Sequence, residues 1–342
     1  MKQYLLPRQG QFYKANLHCH SNISDGEFSP ARLKELYMEQ GYSIIAYTDH
    51  NIMLPHQDLT DQHFLALHGY EWDVTAPPPA VGSSKCCHIC LIALEPDQRQ
   101  QVGWDVDADL YFHGNGAQHK HNIQYAEAAP GPGRVYQTDC INEIFRKGRE
   151  QGFFVTYNHP TWSQEDYTDY VNYHGMHAME ICNFTSKSEG FEEYNPRVYD
   201  DMLRSGKRIF CVATDDNHCH RDIHSPNRDC FGAFTVIKAE ELSYRTITKA
   251  LEAGHFYASQ GPEIYDLWYE DGQLQLTCSP AARVDFHFGI RHAMSVKAAE
   301  GRWVETAGCR VPPNAVYVRA TVWDAQGNPA NTNAYFWDTL EG

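Results

Sequence analysis

The sequence predicts an α/β fold followed by a small all-β segment, and three observations carry that prediction. Between residues 14 and 256, short apolar strand-like runs alternate with amphipathic helical stretches, the pattern of a parallel sheet, closed or open. After residue 259 the pattern changes to short strands split by Asp271-Gly272 and Gly327-Asn328, with no helix-length periodicity. The chain has 342 residues, 42% of them hydrophobic, which suits one barrel-sized domain, residues 1–258, and a small second one, residues 259–342.

Residues 14–20 read as the first strand. A helix follows from Ser29, whose side-chain oxygen can accept from a first-turn N–H. Pro30 takes the first helical position, where its missing N–H costs nothing, and Gly41 is the stop. Residues 43–48 form the next strand, apolar enough to be buried on both faces. Further strands fit 64–68, 88–94, 153–158, 176–183, 208–214 and 233–237. Helices fit 139–151, 196–205 after Asn195, and 244–253 after Ser243. Two stretches read as loops: 73–85, with Pro77-Pro78-Pro79 and Gly82, and 104–134, rich in Gly and His and ending in Pro130-Gly131-Pro132-Gly133. An excursion as long as the second is usually functional in a compact domain. In the tail, strands at 264–269, 273–278, 284–288, 316–323 and 333–337 predict an antiparallel sandwich or cap with no chemistry of its own.

Composition excludes several partner classes. Against 28 basic residues stand 44 acidic ones, a net charge of −16. Long nucleic acid is therefore disfavoured as a partner, because phosphate neutralisation supplies most of such affinity. No apolar run approaches the roughly 18 residues that cross a bilayer. The segment from Met1 to Phe12 is polar and lacks a signal-peptide core, so the expected location is the cytoplasm. Eleven cysteines, an odd number, then read as reduced thiols. Cys87 and Cys90, beside Cys86, have a C-x-x-C spacing, but without a second pair they read as thiols packed along a strand.

The chemistry lies in a set of histidines and carboxylates. His18 and His20 are two apart on a strand and face the same way. Asp216 and His218 repeat that spacing after the strand ending at Thr214. Asp25 sits in Ser24-Asp25-Gly26, His50 follows Tyr47-Thr48-Asp49, and Glu71 follows His68-Gly69-Tyr70. His88 opens a strand and His159 precedes Pro160. Each alone reads as a structural histidine or a turn aspartate. Together they fall mostly beside strand ends, where the loops of a β/α barrel converge. An all-N/O donor set without thiolate suits Zn, Mn or Fe.

His18-Cys19-His20, Ser24-Asp25-Gly26, Thr48-Asp49-His50-Asn51, Glu71, His88, His159-Pro160 and Asp216-Asn217-His218 resemble, in order, the motifs of the polymerase and histidinol phosphatase (PHP) superfamily across residues 14–256. The resemblance implies a distorted (β/α)7 TIM-like barrel holding two to three divalent ions. It implies that His18, His20, Glu71 and Asp216 hold the first ion; Glu71, as a bridge, with His88 and His159 the second; and Asp25, His50 and His218 the third. Asp216 is preferred over Asp215 because it alone has the D-x-H spacing, which leaves Asp215 to hydrogen-bond support. The implied activity is a phosphoesterase that hydrolyses small phosphomonoesters of the nucleotide, sugar phosphate or histidinol phosphate type. Metal-activated hydroxide would do the chemistry, with Asp25, Glu71 and His218 as catalytic ligands. An exonuclease or oligonucleotide phosphodiesterase is the alternative, and a non-catalytic metal-binding module the non-enzymatic one. Three divalent ions against three carboxylates would leave a site of about +3, attractive to a phosphate dianion.

Substrate contacts are less legible. Lys187, His220, Arg221 and Arg228 follow metal-motif strands and are the candidates for binding phosphate, with a solvated surface role as the competing reading. Tyr47 and Trp162 are candidates for stacking at the mouth, or for the core. His113, His119 and His121 in the long loop read as solvent-exposed rather than as another metal site. The tail is read either as a cover for one barrel edge or as a dimer contact, so a homo-oligomer stays open.

Overall fold

The computed structural model describes residues 2–102, 112–125 and 134–340; the Pro130-Gly131-Pro132-Gly133 stretch and part of the long loop lie outside them. The first strands are β1 (Gln3–Tyr4), β2 (Gln11–Cys19), β3 (Ile44–Tyr47), β4 (Leu65–Thr75) and β5 (Cys86–Ala93). The short β6 (Gln100–Gln101) and β7 (Gln124–Tyr125) pair with each other. Next come β8 (Phe153–Tyr157), β9 (Ala178–Asn183), β10 (Phe210–Thr214), β11 (Phe234–Ala239) and β12 (Phe256–Ser259). The helices between them are α1 (Pro30–Glu39), α2 (Thr138–Glu150), α3 (Tyr167–Tyr170), α4 (Phe184–Ser188), α5 (Pro196–Arg204) and α6 (Tyr244–Ala253).

Local chemistry explains these boundaries. Ser29 Oγ accepts from Arg32 N at 3.3 Å and Pro30 opens α1, which buries Leu33, Leu36 and Tyr37. Gly254 ends α6 at φ 71°, a left-handed conformation that a Cβ disfavours. Every residue of β3 is buried, as its unbroken apolar run requires.

One large sheet runs in the order β10-β9-β8-β5-β4-β3-β2-β11-β12 and continues into the tail. The expected all-parallel arrangement needs correction. β10, β9 and β8 are mutually parallel, as are β4, β3 and β2, but β5 is antiparallel to both β4 and β8, and β11 to β2. The reason for β5 is covalent: the segment joining it to β4 contains no helix, and a parallel return needs a long crossover. The expected barrel is not seen as a closed hydrogen-bonded sheet among the described residues. Among the described residues no continuous ladder joins β10 to β2; they meet through an isolated Cys19–Asn217 bridge. Beside it His20 N donates to Asn217 O at 3.1 Å and Asp216 N to His18 O at 3.0 Å. Strands far apart in the sheet order thus touch at their carboxyl ends, so the sheet curls and brings the ends of β2 and β10 together.

The tail consists of β13 (Ile264–Glu270), β14 (Gln273–Ala281), β15 (Arg283–His287), β16 (Ala293–Lys297), β17 (Val304–Arg310), β18 (Tyr317–Trp323), β19 (Pro329–Thr332), β20 (Tyr335–Phe336) and α7 (Trp337–Leu340). It is woven into the rest. β1 pairs with β13, β19 pairs with β12, and Leu5 and Leu6 pack in the tail's core with Leu267, Leu276 and Phe286. Arg319 of β18 is buried and forms a two-point ion pair with Asp200 of α5, at 2.8 and 2.9 Å. Among the described residues no helix is long and apolar enough to cross a membrane.

Candidate metal centre

The curled sheet brings the nine sequence-predicted donors onto one floor. His18 and His20 lie at and just past the end of β2, Glu71 lies inside β4, and His88 lies inside β5. His159 follows β8, while Asp216 and His218 follow β10. His159 and Asp216 hold φ 24° and 54°, and Asn51, next to His50, holds φ 61°. Non-glycine residues in this region carry strain, which the surrounding hydrogen bonds must hold in place.

Glu71 is the hub. Its Oε1 lies 3.2 Å from His18 Nε2, 3.2 Å from His88 Nδ1 and 3.3 Å from His159 Nε2. Its Oε2 lies 3.1 Å from His50 Nδ1 and 3.5 Å from His20 Nε2. Asp216 Oδ1 sits 3.1 Å from His18 Nε2 and 3.0 Å from His20 Nε2, and Oδ2 lies 3.8 Å from His159 Nε2. Asp25 faces the other side of the imidazole cluster, 3.6 Å from His218 Nε2, 3.7 Å from His50 Nε2 and 3.9 Å from His20 Nδ1. Two of these groupings, His18 with His20, Glu71 and Asp216, and His20 with Asp25, His50 and His218, have donor atoms close enough to one another to hold an ion; the second adds His20 to the residues of the implied third set. The imidazoles of the implied second set, His88 and His159, share Glu71 Oε1, and His50 also approaches Glu71 beside them.

The donor set fits divalent ions on a direct observation. His20 Nδ1, His50 Nδ1, His88 Nδ1, Glu71 Oε2 and Asp216 Oδ1 are buried without a hydrogen-bond partner. Buried polar atoms normally have one, because leaving them unpaired costs about 1–3 kcal/mol each. Five such atoms facing one another on one floor form donor groups that could hold cations. Donor separations near 3.0–3.5 Å are also those that a shared ion produces, since bonds of about 2.1 Å place tetrahedral donors about 3.4 Å apart.

Electrostatics agree. Burial works to raise the Glu71 carboxyl, but His18, His88 and His50 hold it well below the usual carboxylate range. Burial likewise opposes ionisation of Asp25, yet the imidazoles of His20, His50, His218 and His113 take it down to about 2. His20 and His50 are pushed well below the ordinary histidine value by burial and by neighbouring imidazoles. His18 goes well above it because Asp216, Glu71 and Glu180 outweigh its burial. Glu71 likewise takes His88 well above the ordinary value against its burial, and Asp216 and Asp25 raise His218. A cation needs ionised carboxylates beside neutral imidazoles, so at His18, His88 and His218 it must displace a proton.

A layer of hydrogen bonds holds the ligands. His18 Nδ1 meets Glu180 Oε1 at 2.7 Å, and that carboxylate also accepts from Thr214 Oγ1, His159 N and Asn183 Nδ2 at 2.6–2.9 Å. A carboxylate behind a ligating imidazole sets its tautomer and orientation. Asn158 Nδ2 donates to Glu71 Oε1 at 2.9 Å. Asp49 gathers the N–H and O–H groups of Ser21 and Ser24 at 2.7–3.1 Å, fixing the turn before Asp25. Asp215 accepts from Tyr37 and the backbone of Phe231, Gly232 and Ala233, and takes the supporting place.

Above this floor lies a cavity of about 1100 Å³. His220, Arg221, Trp162, Arg134, Asp229 and Glu189 line its walls. Trp162 stands edge-on to His88 and His159 at 5.4 and 5.0 Å, with its N–H on Glu189. Lys187 and Arg228 do not reach the cavity lining: Lys187 pairs with Glu193 at 3.3 Å, and Arg228 Nε bonds Cys230 O at 3.1 Å. Tyr47 is core, its hydroxyl on Pro30 O at 2.8 Å. All eleven cysteines are buried and free, and Cys90 Sγ accepts from Asn158 Nδ2 at 3.1 Å.

Two residues in contact with this donor cluster escape sequence reading. Glu180 is one; a charged residue inside the apolar run of β9 was its only signal. His113 is the other. Expected in solvent, it stacks on His50 with ring centroids 3.9 Å apart and lies 3.8 Å from Asp25 Oδ2.

No family model and no curated protein matches the chain. Among solved structures it is similar to a two-domain protein from Bacteroides vulgatus described as containing a predicted PHP-like metal-dependent phosphoesterase. The identity is 15%, over 97% of this chain and 98% of that one, with a TM-score of 0.44. It is also similar to a protein from Bifidobacterium adolescentis provisionally designated a metal-dependent phosphoesterase. There the identity is 16%, over 65% of this chain and 91% of that one, with a TM-score of 0.38.

Proposed function

We propose that the protein is a metal-dependent phosphoesterase of the PHP type that hydrolyses small phosphomonoesters. One observation carries the reading: buried, hydrogen-bond-deprived imidazole and carboxylate atoms converge around Glu71 on the floor of a single cavity. His18, His20, Glu71 and Asp216 would hold one ion, Glu71 with His88 and His159 a second, and Asp25, His50 and His218 a third. When bound, such ions offset phosphate charge and make water acidic enough to attack near neutral pH. Zn, Mn and Fe all suit these donors.

The chain's own groups do the rest. Glu180 keeps the His18 Nε2 lone pair aimed at the floor by accepting a hydrogen bond from Nδ1–H. Glu71, Asp216 and Asp25 supply fixed negative charge at the ion positions and leave the ester to be held by the walls. Arg221 and Arg134 bring positive charge to the lining, and Trp162 offers an apolar surface beside His88 and His159. A cavity of about 1100 Å³ admits a nucleotide- or sugar-sized ester with room around it.

The test is to count metals in the purified protein, then assay a phosphomonoester panel and short oligonucleotides with Mn, Zn and Fe. The reading expects bound divalent ions and metal-dependent phosphate release from monoesters. Cleavage confined to oligonucleotides would replace it with the phosphodiesterase alternative. Retained metal with no hydrolysis across the panel would leave a binding module.

A further inference from the structure

We propose that His113, carried by the long loop, is a ligand of the ion site around Asp25 and that Asp73 orients it for that task; this rests on the metal-centre reading above. The Asp25 carboxylate is ringed by imidazole nitrogens of His218, His50 and His20 at 3.6, 3.7 and 3.9 Å. His113 Nδ1 stands at 3.8 Å from the same carboxylate, inside the range set by the other three. Its ring lies over His50 at an interplanar angle of 25°, and its side chain is 25% exposed, so it forms the solvent side of the ring of donors.

The far nitrogen of His113 is also placed. Nε2 faces Asp73 Oδ1 at 3.7 Å. Asp73 is in turn held by Asn51 Nδ2 at 2.6 Å and lies 3.8 Å from Arg134 Nη1. At 3.7 Å the Asp73 carboxylate is longer than a hydrogen bond, but its charge favours the proton on Nε2 and so leaves the Nδ1 lone pair for a cation.

The loop is built to deliver this residue. Gly114 holds φ 52°, and a Cβ there would stand 2.2 Å from Ser24 O and 2.7 Å from the Asp25 Cα. Only glycine permits that approach. Asn115 N donates to Ser24 O at 2.6 Å, and its side-chain amide donates to Asn22 O at 3.1 Å. The loop therefore docks on the turn that carries Asp25, which fixes His113 and Asp25 relative to each other. An ordinary ion pair between His113 and Asp73 would need none of this docking.

The test uses the full chain, stripped with a chelator and titrated with Zn(II) or Co(II). Ions per chain are counted by elemental analysis, and affinities are read by competition with a chromophoric chelator. His113→Ala should weaken one ion of the set at least tenfold and leave the others within threefold. It should also change the visible absorption of the Co(II) form. Asp73→Asn keeps the imidazole and should weaken the same ion about 10–100-fold. His121→Ala, an exposed histidine of the same loop, should change nothing. Unchanged stoichiometry and affinities in both His113→Ala and Asp73→Asn would overturn the proposal. A wild-type chain that binds no divalent ion would instead overturn the metal-centre reading beneath it.

Discussion

Replacing Glu180 with Gln should weaken metal binding without touching a ligand. Four donors meet its two oxygens: His18 Nδ1, Thr214 Oγ1, His159 N and Asn183 Nδ2, at 2.7, 2.6, 2.9 and 2.9 Å. An amide has one acceptor oxygen, so its NH₂ must face one of these pairs. Turned towards His18, it can be accommodated only if Nδ1 gives up its proton. The proton then moves to Nε2, the atom 3.2 Å from Glu71 and 3.1 Å from Asp216, and that lone pair is lost to the metal. Turned the other way, the amide faces the buried backbone N–H of His159, and an unpaired buried donor costs about 1–3 kcal/mol. The first outcome gives the 10–100-fold loss of affinity typical of such partners, about 1.4–2.7 kcal/mol, whereas the second would lower the stability of the fold and leave the affinity unchanged. The assay is chelator competition with Zn(II), with near-UV circular dichroism to confirm that the fold persists. A folded Glu180→Gln protein binding Zn(II) within threefold of wild type would refute the tautomer argument.

Other outcomes follow from the same structure. Glu165 is buried beneath the hydroxyls of Tyr173, Tyr157 and Tyr136; burial pushes its carboxyl from the ordinary 4.5 to about 7, and the tyrosines only partly oppose this. The native state then holds a proton that the unfolded chain releases, so this contribution is complete below pH 4.5 and is lost as pH rises through about 7. The loss is worth about 3 kcal/mol. Metal-free Glu165→Gln should therefore gain stability relative to wild type between pH 5 and 8 in urea unfolding, and parallel pH profiles would contradict this. Stripping the metals should lower the unfolding temperature, and free Zn(II) at a hundred times its dissociation constant should restore about 2.7 kcal/mol. Trp162→Ala should raise KM about three- to tenfold, the value of an aromatic contact, and leave kcat nearly unchanged. Arg319→Ala strands Asp200 beside buried surface and should cost about 3–5 kcal/mol in chemical unfolding.

Much of the site was legible because its donors recur at fixed spacings that strand geometry explains. His18 and His20 share a face of one extended segment, and Ser29-Pro30 announces α1 through local backbone chemistry alone. The rest depended on contacts between distant segments. The reversed direction of β5 follows from a helix-free connection whose consequence appears only once β4 and β5 pair. Glu180 sits in a run that reads as plain core, and its partner His18 is far away in sequence. His113 reads as one more histidine in a polar loop until Gly114 and Asn115 dock on Ser24. Asp73 reads in sequence as the start of a loop, whereas β4 runs on to Thr75 and carries it to the cavity wall. Lys187 and Arg228 follow ligand-bearing strands in sequence, but their side chains turn to Glu193 and Cys230.

Phosphate release measured against ions bound per chain tests the central claim most directly. The chelated protein is titrated with Mn(II), Zn(II) or Fe(II) while a phosphomonoester is turned over. The account predicts no turnover in the stripped protein, and activity that rises with bound metal and is lost in Glu71→Ala. Full activity in the metal-free chain, or activity indifferent to Glu71, would contradict it.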